Sequence, residues 1–116
     1  MSEVVIYHNP RCSKSRQTLN LLRERGIEPR VVEYLKTPPD EETLSGILDM
    51  LGIQPSDLVR TKEDEFRALG LREKTDDPKA LIRAMATHPI LIERPIVMHG
   101  DRARVGRPPE SVLEIL

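Results

Sequence analysis

Apolar positions recur along this chain in two periods. Val4-Val5-Ile6-Tyr7 is a short continuous apolar run closed by Asn9-Pro10, the pattern of a buried strand. From Ser13 to Arg25, Leu19 and Leu22 fall on one helical face and Gly26 stands where a helix C′ residue belongs, so a helix is expected over 13–25. Arg30-Val31-Val32-Glu33-Tyr34 reads as a second strand, and strand–helix–strand with short connections is by default a parallel, right-handed unit. A helical middle section follows. Thr37-Pro38-Pro39-Asp40 announces a helix over 40–51, in which Leu44, Ile47, Leu48 and Leu51 repeat at i, i+3, i+4, i+7 before Gly52. Residues 55–71 read as one or two short helices. Asp77 caps a helix over 78–87 with Pro78 in its first turn and Leu81, Ile82 and Met85 facing inward, and His88-Pro89 ends it. Pro95 to His99 and Arg102 to Val105 are strand-like and are joined by Gly100-Asp101, a two-residue hairpin signal. Pro108-Pro109-Glu110 opens a last helix with Val112, Leu113 and Leu116 inward. The order β-α-β, helices, β-β-α is the outline of a thioredoxin-like α/β fold: one domain over 1–116 with a helical insertion at about 38–90.

Composition narrows the function classes. The 116 residues suffice for one hydrophobic core, and 38% hydrophobic with 32% charged residues is not the composition of a disordered chain. A formal net charge of −1 argues against general nucleic-acid binding but permits a local basic patch. Arginines outnumber lysines 13 to 5, and the guanidinium fork is suited to oxyanions and carboxylates. No apolar run reaches membrane-spanning length, and Met1-Ser2-Glu3 lacks the basic and apolar regions of a signal peptide, so a cytoplasmic protein without a membrane partner is expected. A single cysteine rules out an intrachain disulfide. No Cys/His cluster has zinc spacing, so neither a metal nor a bound cofactor is expected.

The informative stretch is Tyr7-His8-Asn9-Pro10-Arg11-Cys12-Ser13-Lys14-Ser15-Arg16, which joins the first strand to the first helix. That places Cys12 at the C-terminal edge of a strand, where open α/β sheets bind ligands, and at a helix N-terminus, where free N–H groups favour an anion. Such a site lowers a thiol pKa from about 8.5 into a range of roughly 3.5–7.5. A protonated His8 and nearby arginines would add to the shift, and Ser15, three residues on, can offer the sulfur a hydroxyl. A buried structural cysteine is the competing reading, but Arg, Ser, Lys and Ser make no core face. His88 and His99 read as structural or surface residues. Thiolate formation is not enough for catalysis: a drop of about two pKa units turns most of the thiol into thiolate at neutral pH while lowering its intrinsic nucleophilicity nearly tenfold. A thiolate approaching an oxyanion also meets repulsion of about 4 kcal/mol per unit-charge pair at 4 Å and an effective dielectric near 20. Fixed positive charge must offset that term, so several arginines should converge on Cys12.

The run Tyr7-His8-Asn9-Pro10-x-Cys12-x-x-Ser15-Arg16 resembles the glutaredoxin-like arsenate reductase (ArsC) family. So do Tyr34-Leu35-x-x-Pro38-Pro39, Leu58-Val59-Arg60, His88-Pro89-Ile90-Leu91-Ile92-x-Arg94-Pro95-Ile96-Val97 and Gly106-Arg107-Pro108, in order over nearly the whole chain. The resemblance implies a thioredoxin-like fold with a helical insertion, Cys12 as nucleophile with His8 and Ser15 stabilising its thiolate, and oxyanion binding by Arg60, Arg94 and Arg107. It places a cis-proline at Arg94-Pro95. It further implies reduction of arsenate to arsenite through a covalent adduct on Cys12, with glutathione as reductant and glutaredoxin as partner. Ser13-Lys14 stand where better-known members carry Gly and Thr, and Arg11 replaces a small residue, a pattern that looks like a housekeeping subgroup. Two alternatives share the fold: a monothiol glutaredoxin-like protein acting on another substrate, and an Spx-like regulator of RNA polymerase. The regulator's Cys-x-x-Cys switch is absent, since the second position is Ser15.

Overall fold

The computed structural model describes residues 3–116, and the chain divides into two compact units: residues up to 37 together with 94–116, and residues 38–93. The first unit holds a four-stranded sheet of order β2-β1-β3-β4, with β1 Val4–His8, β2 Arg30–Glu33, β3 Ile96–His99 and β4 Arg102–Val105. β1 and β2 are parallel, whereas β3 runs antiparallel to both β1 and β4. The parallel pair is joined by α1, Ser13–Glu24, which ends in Gly26 at φ +76°, a left-handed backbone that glycine adopts without steric cost. In the β3–β4 hairpin His99 pairs with Arg102, so Gly100-Asp101 is the whole loop; glycine at its first position, with φ +65°, suits a type II′ turn.

The core of this unit lies on one face of the sheet. Ile6 and Val97, direct partners across β1 and β3, meet Leu19 and Leu22 of α1 and Val112 and Ile115 near the chain end. The last element departs from the expectation. Residues Pro109–Ile115 form a 3₁₀ segment rather than an α-helix, and its inward residues are Pro109, Val112 and Ile115, while Leu116 is exposed and Leu113 half-buried. The reason is the period. At three residues per turn, positions 109, 112 and 115 fall in line; the α-helical reading had chosen 112, 113 and 116. The segment is tied to the hairpin, where His99 Nδ1 donates to the Ile115 carbonyl at 2.6 Å, Arg102 Nη2 to the Glu114 carbonyl at 2.9 Å, and Arg104 Nε to the Glu114 carboxylate at 2.9 Å.

In the second unit α2, Glu41–Leu51, is capped by Asp40, whose carboxylate accepts the Thr43 N–H at 2.8 Å, and it buries Leu44, Ile47 and Leu48 while Leu51 is half-buried. The 55–71 stretch resolves into α3 Pro55–Leu58, α4 Asp64–Ala68 and a 3₁₀ turn at Leu71–Glu73. α5, Pro78–Thr87, is capped by Asp77 and buries Leu81, Ala84 and Met85; the expected Ile82 is only half-buried. A bridge between Val59 and Ile92 ties the stretch after α3 to the end of this unit, with Arg60 N donating to Leu91 O at 2.7 Å and Glu93 N to Leu58 O at 3.0 Å.

Gly106, between β4 and the C-terminal segment, lies closer to neighbouring side chains than Gly26, Gly46, Gly52 or Gly70 does. A Cβ there would stand 2.6 Å from Thr18 Oγ1 and 2.8 Å from Pro95 Cγ, and the Gly106 N–H donates to the Pro95 carbonyl at 2.9 Å. Gly106→Ala is expected to destabilise the protein by about 1–3 kcal/mol through overpacking, read as a lower urea midpoint at unchanged m-value. An unchanged midpoint would mean that this contact yields freely.

Candidate active site

The loop after β1 is folded by Asn9. Its carbonyl accepts the Cys12 N–H at 3.0 Å, its Oδ1 accepts the Arg11 N–H at 3.0 Å, and its own N–H donates to Ser15 Oγ at 3.0 Å. Arg16 closes the loop from outside, donating from Nη1 to the Pro10 carbonyl at 2.8 Å. Cys12 is thereby set as the N-cap residue of α1, with extended backbone at φ −96° and ψ 124°. Its thiol is half-buried.

Burial pushes the Cys12 thiol up. The Ser15 N–H, the Arg94 side chain and the Lys14 N–H act the other way, and the positive charge of Arg94 adds to them, so the thiol is held below its ordinary value. The capping residue makes no conventional side-chain cap hydrogen bond, and the amide dipoles act on the larger sulfur instead. Arg107 contributes a direct contact, with Nη2 donating to Cys12 Sγ at 3.4 Å while Nε is anchored on the Arg94 carbonyl at 2.8 Å. The peptide bonds Arg94-Pro95 and Arg107-Pro108 are both cis. Arg94 and Arg107 thus both reach the sulfur.

His8 and Ser15 occupy different posts from those the sequence suggested. His8 Nδ1 and Ser15 Oγ are 2.6 Å apart, and both residues are buried. Burial is the main cause holding the His8 pKa below its ordinary value; Arg23 and Arg16 add to it and Glu33 opposes. His8 is therefore harder to protonate than a free imidazole, which weakens the contribution a protonated His8 could make to the thiolate. The Ser15 hydroxyl is engaged by His8 and the Asn9 N–H, and it is the Ser15 backbone N–H that favours the anionic sulfur. Asn9 and the Lys14 N–H were missed in the sequence as parts of the site. Asn9-Pro10 marks the end of a strand and belongs to the run that carries the family resemblance, but nothing in the sequence assigns Asn9 its three hydrogen bonds. A better signal lay in the helical stripe 15, 18, 19, 22, where hydroxyl residues continue an apolar face and all four positions are buried.

Arg60 belongs to the second unit. There its guanidinium pairs with Glu63 at 3.2 Å and Glu93 at 2.5 Å, and although burial works against its charge, these carboxylates raise its pKa. Among the described residues no group of three or more His, Cys, Asp or Glu is placed to hold a metal ion, and no helix is long and apolar enough to cross a membrane.

The sequence pattern of the ArsC family matches residues 7–115. The uncharacterized protein YfgD of Escherichia coli is 55% identical over 98% of this chain and 97% of its own. The arsenate reductase of Neisseria meningitidis serogroup A is 50% identical, with both chains covered completely. In solved structures, the arsenate reductase from Vibrio cholerae superposes with a TM-score of 0.95 at 51% identity, covering 99% of this chain and 98% of that one. With its cysteine at the head of α1, its thioredoxin-like sheet and these full-length similarities, the chain belongs to the ArsC family.

Proposed function

We propose that this protein is a cytoplasmic arsenate reductase that uses Cys12 as nucleophile and draws its electrons from glutathione and glutaredoxin. The observation that carries the reading is the pair of guanidinium groups on one sulfur, Arg107 at 3.4 Å and Arg94 by its side-chain contact. They supply the positive charge that a thiolate needs in order to approach an oxyanion, and the names of the full-length relatives support arsenate as that oxyanion.

The Cys12 thiolate attacks arsenic(V). A sulfur–arsenic bond forms and an arsenic–oxygen bond breaks, its oxygen leaving as water after taking up protons from solvent. A glutathione thiolate then attacks the Cys12 sulfur. The sulfur–sulfur bond forms, the sulfur–arsenic bond breaks, and the electron pair stays on arsenic, which departs as arsenite. Glutaredoxin accepts the glutathionyl group and returns Cys12 to the thiolate. The protein needs only one thiol in this cycle, and its sequence carries one. Arg94 and Arg107 hold the oxyanion beside the sulfur and neutralise charge as the two anions meet. His8 and Ser15 stabilise the thiolate indirectly, by fixing the first turn of α1 whose N–H groups face the sulfur. The role of Arg60 in oxyanion binding rests on the family resemblance alone, since its charge is already matched by Glu63 and Glu93.

Cys12→Ser is expected to abolish arsenite formation in an assay with arsenate, glutathione and glutaredoxin; retained turnover would sink the mechanism. Arg107→Ala and Arg94→Ala should each lower kcat/KM for arsenate about 10²–10³-fold. The Arg94 change should also move the midpoint of Cys12 alkylation by iodoacetamide to higher pH, because a cause of the lowered thiol pKa is removed. Stability should follow the same ionisation. A thiol whose pKa is lower folded than unfolded contributes stability that is fully present above the unfolded pKa and lost as pH falls through the folded value. The wild-type urea midpoint, compared with that of Cys12→Ser, should therefore rise with pH across this window; a constant difference would show that the thiolate is not coupled to folding.

A further inference from the structure

The nucleophile is ringed by cations that the fold does not use. Between Glu3 and Glu24 the chain carries no carboxylate, although its net charge is −1. Arg11 and Lys14 flank Cys12, and both are exposed. Neither side chain makes an ion pair or hydrogen bond among the described residues. α1 has no acidic residue in its first turn, and Lys14 stands there instead, at the end of a helix where positive charge is unfavourable. Arg16 has a structural duty on the Pro10 carbonyl; Arg11 and Lys14 have none.

Beside them is a cavity of about 180 Å³ at the C-terminal ends of the parallel strands β1 and β2, lined by His8, Pro10, Arg11, Glu33, Leu35 and Lys36. β3 and β4 lie on the opposite side of β1, and Arg94 and Arg107 enter from the ends of those strands. The oxyanion-facing arginines and this cavity therefore flank the Cys12 loop from opposite sides. The cavity combines an apolar wall with Arg11 and with Glu33 and Lys36, which pair with each other at 3.6 Å, so its charge not already matched by a carboxylate is that of Arg11. A compact thiol that carries two carboxylates, with a short methylene chain between, can offer one carboxylate to each of Arg11 and Lys14 and its chain to the apolar wall.

We propose that Arg11 and Lys14, together with the cavity that Arg11 lines, recognise the carboxylates of glutathione and so select the thiol that reacts at Cys12. This rests on Cys12 being the reactive thiol of the proposed function, and it concerns the reductant rather than the oxyanion. Arg11 and Lys14 are specificity determinants that act on the non-reacting parts of the co-substrate, where binding energy orients the incoming sulfur.

The test needs no arsenate. In thiol–disulfide exchange the Cys12 thiolate attacks one sulfur of oxidised glutathione; the Cys12–glutathione bond forms, the original sulfur–sulfur bond breaks, and one glutathione thiolate leaves with the electron pair. By reversibility the same contacts serve glutathione when it attacks Cys12. Second-order rates would be measured by mass spectrometry for oxidised glutathione and for neutral 2-hydroxyethyl disulfide, in the wild type, Arg11→Gln, Lys14→Gln and the double variant. The ratio of the two rates cancels any change in the thiolate itself. It should fall about three- to tenfold in the double variant, with the neutral disulfide within about twofold of wild type, and the wild-type preference should shrink as salt is raised. An unchanged ratio would overturn the proposal. So would a proportional fall in both rates, which would mean that the charges act on the sulfur and not on the co-substrate. Absence of arsenate reduction alongside a preserved glutathione preference would instead count against the oxyanion reading alone.

Discussion

A sulfur anion held partly out of water has to be stabilised against its own burial, and the geometry around β1 and α1 serves that requirement. Desolvation is the largest single influence on Cys12 and acts against the charge. It is overcome by groups whose positions are set by backbone. Two are amides of the first helical turn. The others are guanidinium groups arriving from the starts and ends of distant strands. Because the amide contributions depend on the turn at Asn9, three hydrogen bonds to one buried residue decide whether the helix begins at the right place. A shift of that turn by one residue would move the sulfur off the helix axis.

Arg107 shows how the sheet delivers charge. Its guanidinium bridges the Arg94 carbonyl and the sulfur, so it is held at both ends and loses little further freedom when an anion arrives. The preceding residue, Gly106, allows the chain to lie against Thr18 and Pro95 with no room for a side chain. The length of the hairpin and the 3₁₀ segment beyond it, clamped by His99, Arg102 and Arg104, keep that crossing in register. Packing far from the sulfur and electrostatics at the sulfur are thus parts of one arrangement.

Much of this was legible in the residues. The strand, the helix and the placing of Cys12 between them follow from Val4–Tyr7, the Leu19/Leu22 stripe and Gly26, because local periodicity and end signals are short-range properties. The Asp40 and Asp77 caps were equally local. The C-terminal segment was misread because Val112 fits both a 3.6 and a 3.0 period, and seven residues after two prolines are too few to separate them. The choice among 13 arginines could not come from spacing at all. Arg94 and Arg107 meet Cys12 only because β3 pairs back onto β1 and β4 onto β3, long-range events, and the family resemblance was what singled them out. The burial of His8 was not legible for the same reason: it depends on the packing around the residue, which a strand-end histidine does not advertise.

The position of Ser15 bears on where the electrons come from. One turn along the helix from Cys12 is where a second thiol could close a disulfide with the first, and an internal pair of that kind would let the protein resolve its own intermediate. Here the site carries a hydroxyl that is buried and committed to His8 and to the Asn9 amide. That network stiffens the turn that presents N–H groups to the sulfur, and it removes any route to an internal disulfide. In the proposed cycle, stabilising the thiolate and resolving the adduct are therefore divided between this chain and a second thiol. The two electrons that reduce arsenic in that cycle come from one sulfur of each, so capture of a small external thiol becomes a step of its own. Arg11 and Lys14, exposed on either side of that single thiol and in no ion pair among the described residues, are the charges such a capture step would use.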